Sequence, residues 1–265
     1  MSNDEIRIRT LFISDLHLGT RGSQAEALLE LLRRYEPETL YLVGDIVDGW
    51  RLKSVWHWPQ AHNDVVQKLL RKVRKGCRLI YIPGNHDEFL RDYTGSNFGG
   101  IEIVEEAIHE GADGRRALVL HGDKFDVVVR HMRWLALLGD TAYDFALYVN
   151  RHISRLRRSM GLPYWSFSAW SKSRVKSAVN FIGAFREAIV NEARRHNVDT
   201  IICGHIHHAA IDTIDGVRYI NCGDWVETCS AIVEHFDGRY ELVFAHASEP
   251  ALSKVPPVSV LRPAA

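Results

Sequence analysis

The chain contains little cysteine, and no pattern that would pair the cysteines it has. Four cysteines stand among 265 residues, and no two of them form a Cys-x-x-Cys pair. A disulfide framework is therefore not predicted, and a structural zinc site built from cysteine is excluded. Buried free thiols in a reducing compartment are expected instead.

Long apolar runs and an excess of one charge are also missing. No stretch reaches the roughly 18 apolar residues that indicate a transmembrane helix. The N-terminus lacks the charged-then-apolar order of a secretion signal. Lys+Arg and Asp+Glu both number 33, so net charge steers no partner towards the protein. We therefore expect a cytoplasmic enzyme, with any membrane contact peripheral.

The first half of the chain alternates between two kinds of apolar pattern. Short apolar runs predict strands at 6–13, 39–43 and 78–82, and helical spacing predicts helices at 23–35 and 61–75. Ser23 is a candidate N-cap and Gly76 a stop signal. This βαβαβ order predicts a parallel sheet with right-handed crossovers.

The second half is richer in strands. Strands are predicted at 101–104, 116–120 and 199–203, and 209–244 is expected to form short strands with turns at Asp215-Gly216 and Asp237-Gly238. The domain prediction is a core of 1–125 and 197–247, a helical lid insertion at 126–196 and a flexible, proline-containing tail at 248–265.

Metal-capable side chains follow five of the predicted strands. They are Asp15, His17, Asp45, Asn85, His121, His205 and His207. Ligands collect at the carboxyl ends of strands in open α/β sheets, so we expect these residues at one sheet edge. A single Asp or His at a strand end is more often a turn former, but five such clusters in succession are not expected by accident.

The donor types indicate the metal chemistry. Carboxylate, amide oxygen and imidazole together suit Mn²⁺, Fe or Zn²⁺ better than Ca²⁺ or Mg²⁺. The predicted ligands are too many for one ion and suit two ions that share a carboxylate, the arrangement used for displacement at phosphorus. The sequence therefore predicts two divalent metal ions, with Mn²⁺ favoured and Fe or Zn²⁺ as alternatives.

These clusters resemble the signature blocks of the calcineurin-like metallophosphoesterases. The matching blocks are Asp15-Leu-His17 and, in one-letter code, GDIVDGW, GNHDE, HGD and GHIHH. The resemblance implies an α/β (α+β) fold, a β-sandwich flanked by helices. It assigns the first metal to Asp15, His17 and His207, the second to Asn85, His121 and His205, and the bridge to Asp45.

The same resemblance implies two catalytic residues. His86 would protonate or stabilise the leaving oxygen, a role that suits an imidazole near neutral pH. Asp87 would orient His86. The alternative is a hydrogen-bonded loop histidine without a catalytic role. Asp48, Trp50, His57 and Asp123 flank the blocks and are expected to support the site or contact substrate.

The composition of the predicted insertion indicates which class of substrate the protein binds. Residues 151–176 contain seven Arg or Lys, no Asp or Glu, and several aromatic side chains. Candidate substrate-binding residues, with Asp123 from the core, are Arg157, Arg158, Trp165, Trp170 and Lys172. The composition suits a phosphate bearing an apolar group, or an anionic membrane surface. Single-stranded nucleic acid and an ordinary amphipathic helix are the alternatives.

An insertion between the HGD and GHIHH blocks is similar to that of the UDP-2,3-diacylglucosamine hydrolase branch. That resemblance implies cleavage of a pyrophosphate to lipid X (2,3-diacylglucosamine 1-phosphate) and UMP in lipid A biosynthesis, Mn²⁺ and peripheral contact with the inner membrane. Known members carry Arg where this chain has His86. A phosphodiesterase or phosphatase for a soluble nucleotide or phosphoprotein, and a non-catalytic metal-binding module, stay open. No nucleic acid is expected, and an oligomer is compatible with the sequence.

Overall fold

The computed structural model of the chain describes residues 5–125 and 187–245. The strands are β1 Ile6–Ile13, β2 Tyr35–Val43, β3 Arg78–Ile82, β4 Asn97–Phe98, β5 Ile101–Ile103, β6 Ala107–Glu110, β7 Arg116–Val119, β8 Thr200–Cys203, β9 Ala210–Ile214, β10 Val217–Asn221, β11 Ser230–Glu234 and β12 Tyr240–Phe244. The helices are α1 Ala25–Arg34, α2 Gly49–Ser54, α3 Gln60–Arg74 and α4 at 187–196, with 3-10 helices at Glu88–Tyr93 and Asp123–Phe125.

The strands form two sheets. The first has seven strands in the order β12-β11-β1-β2-β3-β5-β4, and the second has five in the order β6-β7-β8-β10-β9. Strands β1, β2, β3 and β5 are parallel neighbours, as the βαβαβ pattern predicts. In the second sheet β8 runs parallel to both β7 and β10.

Side chains of alternating residues separate the interior of the sandwich from its outer layers. Phe12 and Tyr41 of the first sheet form one buried cluster with Val119 and Ile202 of the second. Their neighbour Leu11 points the other way, into a cluster that contains residues of α1 and α3. Because successive side chains of a strand face opposite sides, each sheet can contact both its partner sheet and its covering helices.

Helices cover the outer faces of both sheets. Leu28 of α1 and Leu69 of α3 lie against the first sheet. Ile189 and Ala193 of α4 lie against Ile201 of the second. The β-sandwich flanked by helices is therefore confirmed.

Much of the predicted domain organisation lies outside the described residues. This applies to 126–186 of the predicted lid and to the predicted tail at 248–265, so both stay predictions. Residues 187–196, the end of the predicted insertion, are helical and contribute to the buried core. Within the described ranges no helix combines the length and apolarity needed to cross a membrane.

Three sequence-based expectations about the elements are wrong. Ser23 does not cap α1, which begins after Gln24, and the Gln24 amide is held by the Trp225 carbonyl 2.8 Å away. Strand β2 was expected to begin at residue 39, but it begins at Tyr35 because the start of β1 offers it a parallel partner. The metal-capable strand ends belong to two sheets rather than one.

Candidate active site

The predicted ligands meet where the two sheets of the sandwich end side by side. Asp15 and Asp45 follow β1 and β2 of the first sheet, while His121 and His205 follow β7 and β8 of the second. The site therefore lies at an edge of the sandwich that both sheets form together. Side chains from both sheets converge on it, which explains how residues far apart in sequence share one site.

Asp15, His17 and His207 form the first group with metal-binding geometry. Their candidate ligand atoms all lie within 4.8 Å of one another. His207 Nε2 lies 3.1 Å from Asp15 Oδ1 and 3.4 Å from His17 Nε2. The Asp15 side chain is fully buried, so its carboxylate is directed into the site rather than to solvent.

Asp45, His121 and His205 form the second group. His121 Nε2 lies 3.5 Å from Asp45 Oδ2 and 3.2 Å from His205 Nδ1. The other nitrogen of His121, Nδ1, lies 3.0 Å from the Val43 carbonyl oxygen, which leaves Nε2 directed into the site.

Asn85 lies beside this second group in the chain segment that contacts Asp45. The backbone amide of His86, the next residue, donates a 2.8 Å hydrogen bond to Asp45 Oδ1. Asn85 Oδ1 is buried and has no hydrogen-bond partner among the described residues. A buried amide oxygen without a partner is costly unless something else, such as a cation, coordinates it.

Five of the predicted ligands adopt a backbone conformation that side chains rarely occupy. Asp15, His17, Asp45, His205 and His207 have positive φ, between 48° and 69°. In the described ranges only eight residues other than glycine do so. Each such residue costs on the order of 1–2 kcal/mol, and such strain clusters at functional sites. The positive φ turns the backbone sharply after each strand, so that the side chain points into the site.

Two glycines provide the space that these side chains fill. A Cβ on Gly84 would overlap the Asp45 carboxylate and lie 2.7 Å from His121 Nε2. A Cβ on Gly204 would overlap Ser14 and Asp15. The glycines of the two blocks are therefore required for close approach of the backbone to the site.

The site has the electrostatics of a cation-binding centre. Burial would raise the pKa of Asp15, but the neighbouring His207 imidazole and the charge of His121 outweigh it and lower that pKa. The pKa of Asp45 is also lowered, since the interaction with His121 outweighs burial. Burial would lower the pKa of His121, but Asp45 and Asp15 raise it to about 10. The two carboxylates thus stay ionised and favour positive charge between them.

His86 lies at the rim of this centre, with its two ring nitrogens in different surroundings. Nδ1 lies 3.1 Å from Asp48 Oδ2, and Nε2 lies 4.0 Å from Asp45 Oδ2. Burial would lower the pKa of His86, but the Asp48 and Asp45 carboxylates outweigh it and raise that pKa. His86 is therefore a half-buried imidazole whose Nε2 faces the metal groups.

Asp87 does not orient His86, which corrects the sequence-based expectation. The Asp87 carboxylate is buried and accepts hydrogen bonds from the Tyr81 hydroxyl and from the backbone amides of Ile46 and Gly84. Burial raises the pKa of Asp87. Its role in the structure is to hold the loops after β2 and β3 together.

Asp48 takes the position that Asp87 was expected to have. Besides facing His86, Asp48 Oδ2 lies 3.3 Å from His17 Nδ1, and Asp48 Oδ1 accepts a 2.7 Å hydrogen bond from the Arg51 amide at the start of α2. Asp48 thus connects a predicted ligand to the predicted proton donor. Its presence in the GDIVDGW block was the only sequence signal for this role.

The other predicted substrate residues are only partly described. Asp123 Oδ2 lies 2.6 Å from Arg91 Nη2, so its charge is already balanced. Substrate contact by Asp123 stays a prediction. Arg157, Arg158, Trp165, Trp170 and Lys172 lie outside the described residues.

A further group with metal-binding geometry lies outside the site, formed by Glu106, Glu192 and His196. The Lys124 ammonium lies 2.8 Å from Glu106 Oε2, and His196 Nε2 lies 3.2 Å from Glu192 Oε1. Because Lys124 lies against Glu106 and His196 against Glu192, we interpret the group as a polar network between α4 and the loop before β6.

Comparison with known proteins identifies the family. The family model of the calcineurin-like phosphoesterases matches residues 8–209, which include both metal-capable groups and His86. The chain belongs to the calcineurin-like phosphoesterase family. Its members use divalent metals, and the chain is accordingly a metal-dependent phosphoesterase.

The sequences of curated relatives align with most of the chain. The UDP-2,3-diacylglucosamine hydrolase of Azotobacter vinelandii is 26% identical over 223 residues, covering 82% of this chain and 90% of the relative. That of Pseudomonas paraeruginosa is 28% identical over 226 residues, covering 81% and 90%. Among solved structures, Yfce, a phosphoesterase from E. coli, matches with 13% identity and a TM-score of 0.44 over 89% of this chain and 99% of that chain, too weak a likeness to support an argument.

Proposed function

We propose that the chain hydrolyses a phosphoester or pyrophosphate bond with two divalent ions, one held by Asp15, His17 and His207 and the other by Asn85, His121 and His205. The observation that carries the proposal is the position of Asp45 Oδ2. It lies 4.0 Å from His17 Nε2 on one side and 3.5 Å from His121 Nε2 on the other. A carboxylate between two ligand groups is the bridge that a two-ion site needs.

The residues present fit such ions. Asn85 offers a buried amide oxygen without a partner, and each group combines imidazole with carboxylate. This donor set favours Mn²⁺, with Fe and Zn²⁺ as alternatives. Ions bound there would neutralise charge on the phosphoryl oxygens and make water a better nucleophile.

The chain's own contribution to the reaction centres on His86. Its Nε2 faces the centre, where it can donate a proton to the leaving oxygen as the bond to phosphorus breaks. The Asp48 carboxylate lies 3.1 Å from Nδ1, so its charge holds that side of the ring and leaves Nε2 available. The buried Asp87 maintains the loops that carry Asp45 and His86.

The proposed substrate is UDP-2,3-diacylglucosamine, cleaved to lipid X and UMP in lipid A biosynthesis. Support comes from the curated relatives, which carry that substrate in their names and align over four fifths of the chain. The basic and aromatic composition of residues 151–176 suits a diphosphate bearing acyl chains. With this substrate, we expect a cytoplasmic location and peripheral contact with the inner membrane.

A water-soluble phosphodiester or phosphomonoester is the second candidate. The observation that favours it is His86, which stands where known members of the lipid hydrolase branch carry Arg. A half-buried imidazole can donate a proton to the leaving group, whereas an arginine remains charged and stabilises phosphate instead. A non-catalytic metal-binding module is disfavoured because both ligand groups are complete.

The test is cleavage of UDP-2,3-diacylglucosamine by the purified, Mn²⁺-loaded protein, with Asp45→Ala as the blank. We expect UMP release by the wild-type protein alone. Parallel measurements with bis(4-nitrophenyl) phosphate separate the candidates. Cleavage of this diester without UMP release would reject the lipid substrate and retain the phosphoesterase. If wild type and Asp45→Ala were equally inactive on both after loading with Mn²⁺, Fe²⁺ or Zn²⁺, the catalytic proposal would be wrong.

A further inference from the structure

One aromatic side chain lies directly against the candidate proton donor. The indole ring of Trp50, in α2, and the imidazole of His86 have centroids 4.4 Å apart and planes inclined by 37°. On another side, the His17 ring meets His86 edge-on at 4.7 Å and 89°. The His86 ring thus contacts both a predicted ligand and an indole.

The indole is itself held in place. Trp50 Nε1 donates a 3.1 Å hydrogen bond to Glu88 Oε1, and Glu88 follows His86 by two positions in the chain. The contact therefore joins the start of α2 to the segment that carries His86. Trp50 is 45% exposed, which is more exposure than an indole needed only for core packing would show.

Two restraints of different kinds act on His86. The Asp48 carboxylate, 3.1 Å from Nδ1, attracts one atom of the ring, but the ring can still swing about that atom. Contact with the tilted Trp50 ring restricts the plane of the imidazole. A proton donor needs both, because hydrogen-bond strength falls steeply as the angle departs from linearity.

We propose that Trp50, anchored by Glu88, is a positioning residue that orients His86 Nε2 towards the leaving oxygen of the substrate. The inference rests on the proposed function, in which His86 donates that proton. When the bond between phosphorus and the leaving oxygen breaks, its electron pair stays on that oxygen, which takes the proton of Nε2. The hydroxyl group of water bonds to phosphorus, and the remaining water proton leaves to solvent.

This role makes the effect of Trp50 depend on the leaving group. A 4-nitrophenolate ion is stable without a proton, whereas an alkoxide is not. Misorientation of His86 therefore slows release of an alcohol far more than release of 4-nitrophenolate. A merely structural role of Trp50 would slow both reactions to the same extent.

The experiment compares Trp50→Leu with wild type, both loaded with Mn²⁺, on the methyl and 4-nitrophenyl esters of uridine 5′-monophosphate. We expect the ratio of kcat for the methyl ester to kcat for the 4-nitrophenyl ester to fall about tenfold or more. Trp50→Phe, which keeps an aromatic face, should restore most of the ratio. Trp56→Leu is the matched control, because Trp56 is 75% exposed and its described ring contact is with Trp58.

Two further variants decide between the possible outcomes. Glu88→Leu removes the anchor while keeping the indole, so it should lower the same ratio even if Trp50→Leu does not fold. His86→Gln tests the underlying proposal and should lower the ratio more than either. If His86→Gln lowers it while Trp50→Leu and Glu88→Leu leave it at the wild-type value, the positioning role is wrong. If His86→Gln slows hydrolysis of both esters equally, the proton-donor role of His86 is wrong, and the positioning role of Trp50 that rests on it is wrong as well.

Discussion

At the scale of single residues, Asp48 shows how one buried carboxylate can organise several neighbours. It faces His17 and His86 with one oxygen and accepts the Arg51 amide with the other. Burial would raise the pKa of Asp48, but the interactions with His17, His86 and the Arg51 amide outweigh it and lower that pKa. The carboxylate therefore stays charged and orients both imidazoles.

We expect Asp48→Asn to lower kcat by about 10- to 100-fold, because the amide removes the charge that orients both imidazoles while keeping the shape of the side chain. Steady-state kinetics on a diester and metal content per chain measure the effect. Asp92→Asn, at an exposed carboxylate, is the control. Wild-type kcat in Asp48→Asn would contradict the assignment.

At the scale of elements, the site is made by the abrupt ends of strands. Strand β8 stops at Cys203, and the next residues turn back so that the His205 amide donates a 2.9 Å hydrogen bond to Asp15 Oδ2. This hydrogen bond ties the end of β8 in one sheet to the end of β1 in the other. Gly204 makes it possible, since any larger residue would displace Ser14 and Asp15.

Gly204→Ala is expected to destabilise the fold by about 1–3 kcal/mol and to weaken metal binding, because the added methyl group overlaps the Asp15 carboxylate. Isothermal titration with Mn²⁺ and denaturant unfolding measure the two effects. Gly114→Ala introduces a methyl group into open space, and it should cost only backbone strain and leave Mn²⁺ binding intact. Equal Mn²⁺ affinity in the two variants would contradict this account of Gly204.

At the scale of the whole molecule, a buried ion-pair network joins the two sheets. Glu234 of β11 lies 2.8 Å from His109 of β6 and 2.7 Å from Arg9 of β1. Burial would raise the pKa of Glu234, but the hydrogen bond with His109 outweighs it and the pKa is lowered to about 2. The ionised carboxylate therefore stabilises the sandwich above its usual pKa of 4.5, and this contribution is lost as pH falls towards 2.

Glu234→Gln should lower the free energy of unfolding by about 3 kcal/mol near neutral pH, because it leaves the charges of the network without their buried partner. The deficit should shrink as pH falls below 4.5, where the wild-type carboxyl begins to lose its advantage. Urea unfolding at several pH values measures it. Glu38→Gln, at an exposed partner of Arg7, should change stability by less than about 0.5 kcal/mol. A deficit that does not change with pH would contradict the role of the charge.

The sequence alone predicts those features that depend on neighbouring residues. Short apolar runs predicted β1 and β3 with their observed bounds, and the Asp-Gly pairs at 215–216 and 237–238 predicted turns that the structure has. The donor residues at strand ends predicted a metal centre and, through the resemblance, the family. These signals are local because strand periodicity, turn chemistry and metal preference are properties of short segments.

Tertiary structure decided which segments meet. Nothing in the local pattern indicates that β3 and β7 belong to different sheets, that Asp48 rather than Asp87 faces His86, or that Trp50 lies against that imidazole. Each of these depends on how loops from separate strands pack together, which no short segment contains. The sequence therefore determined the chemistry available at the site, and the packing of two sheets decided its arrangement.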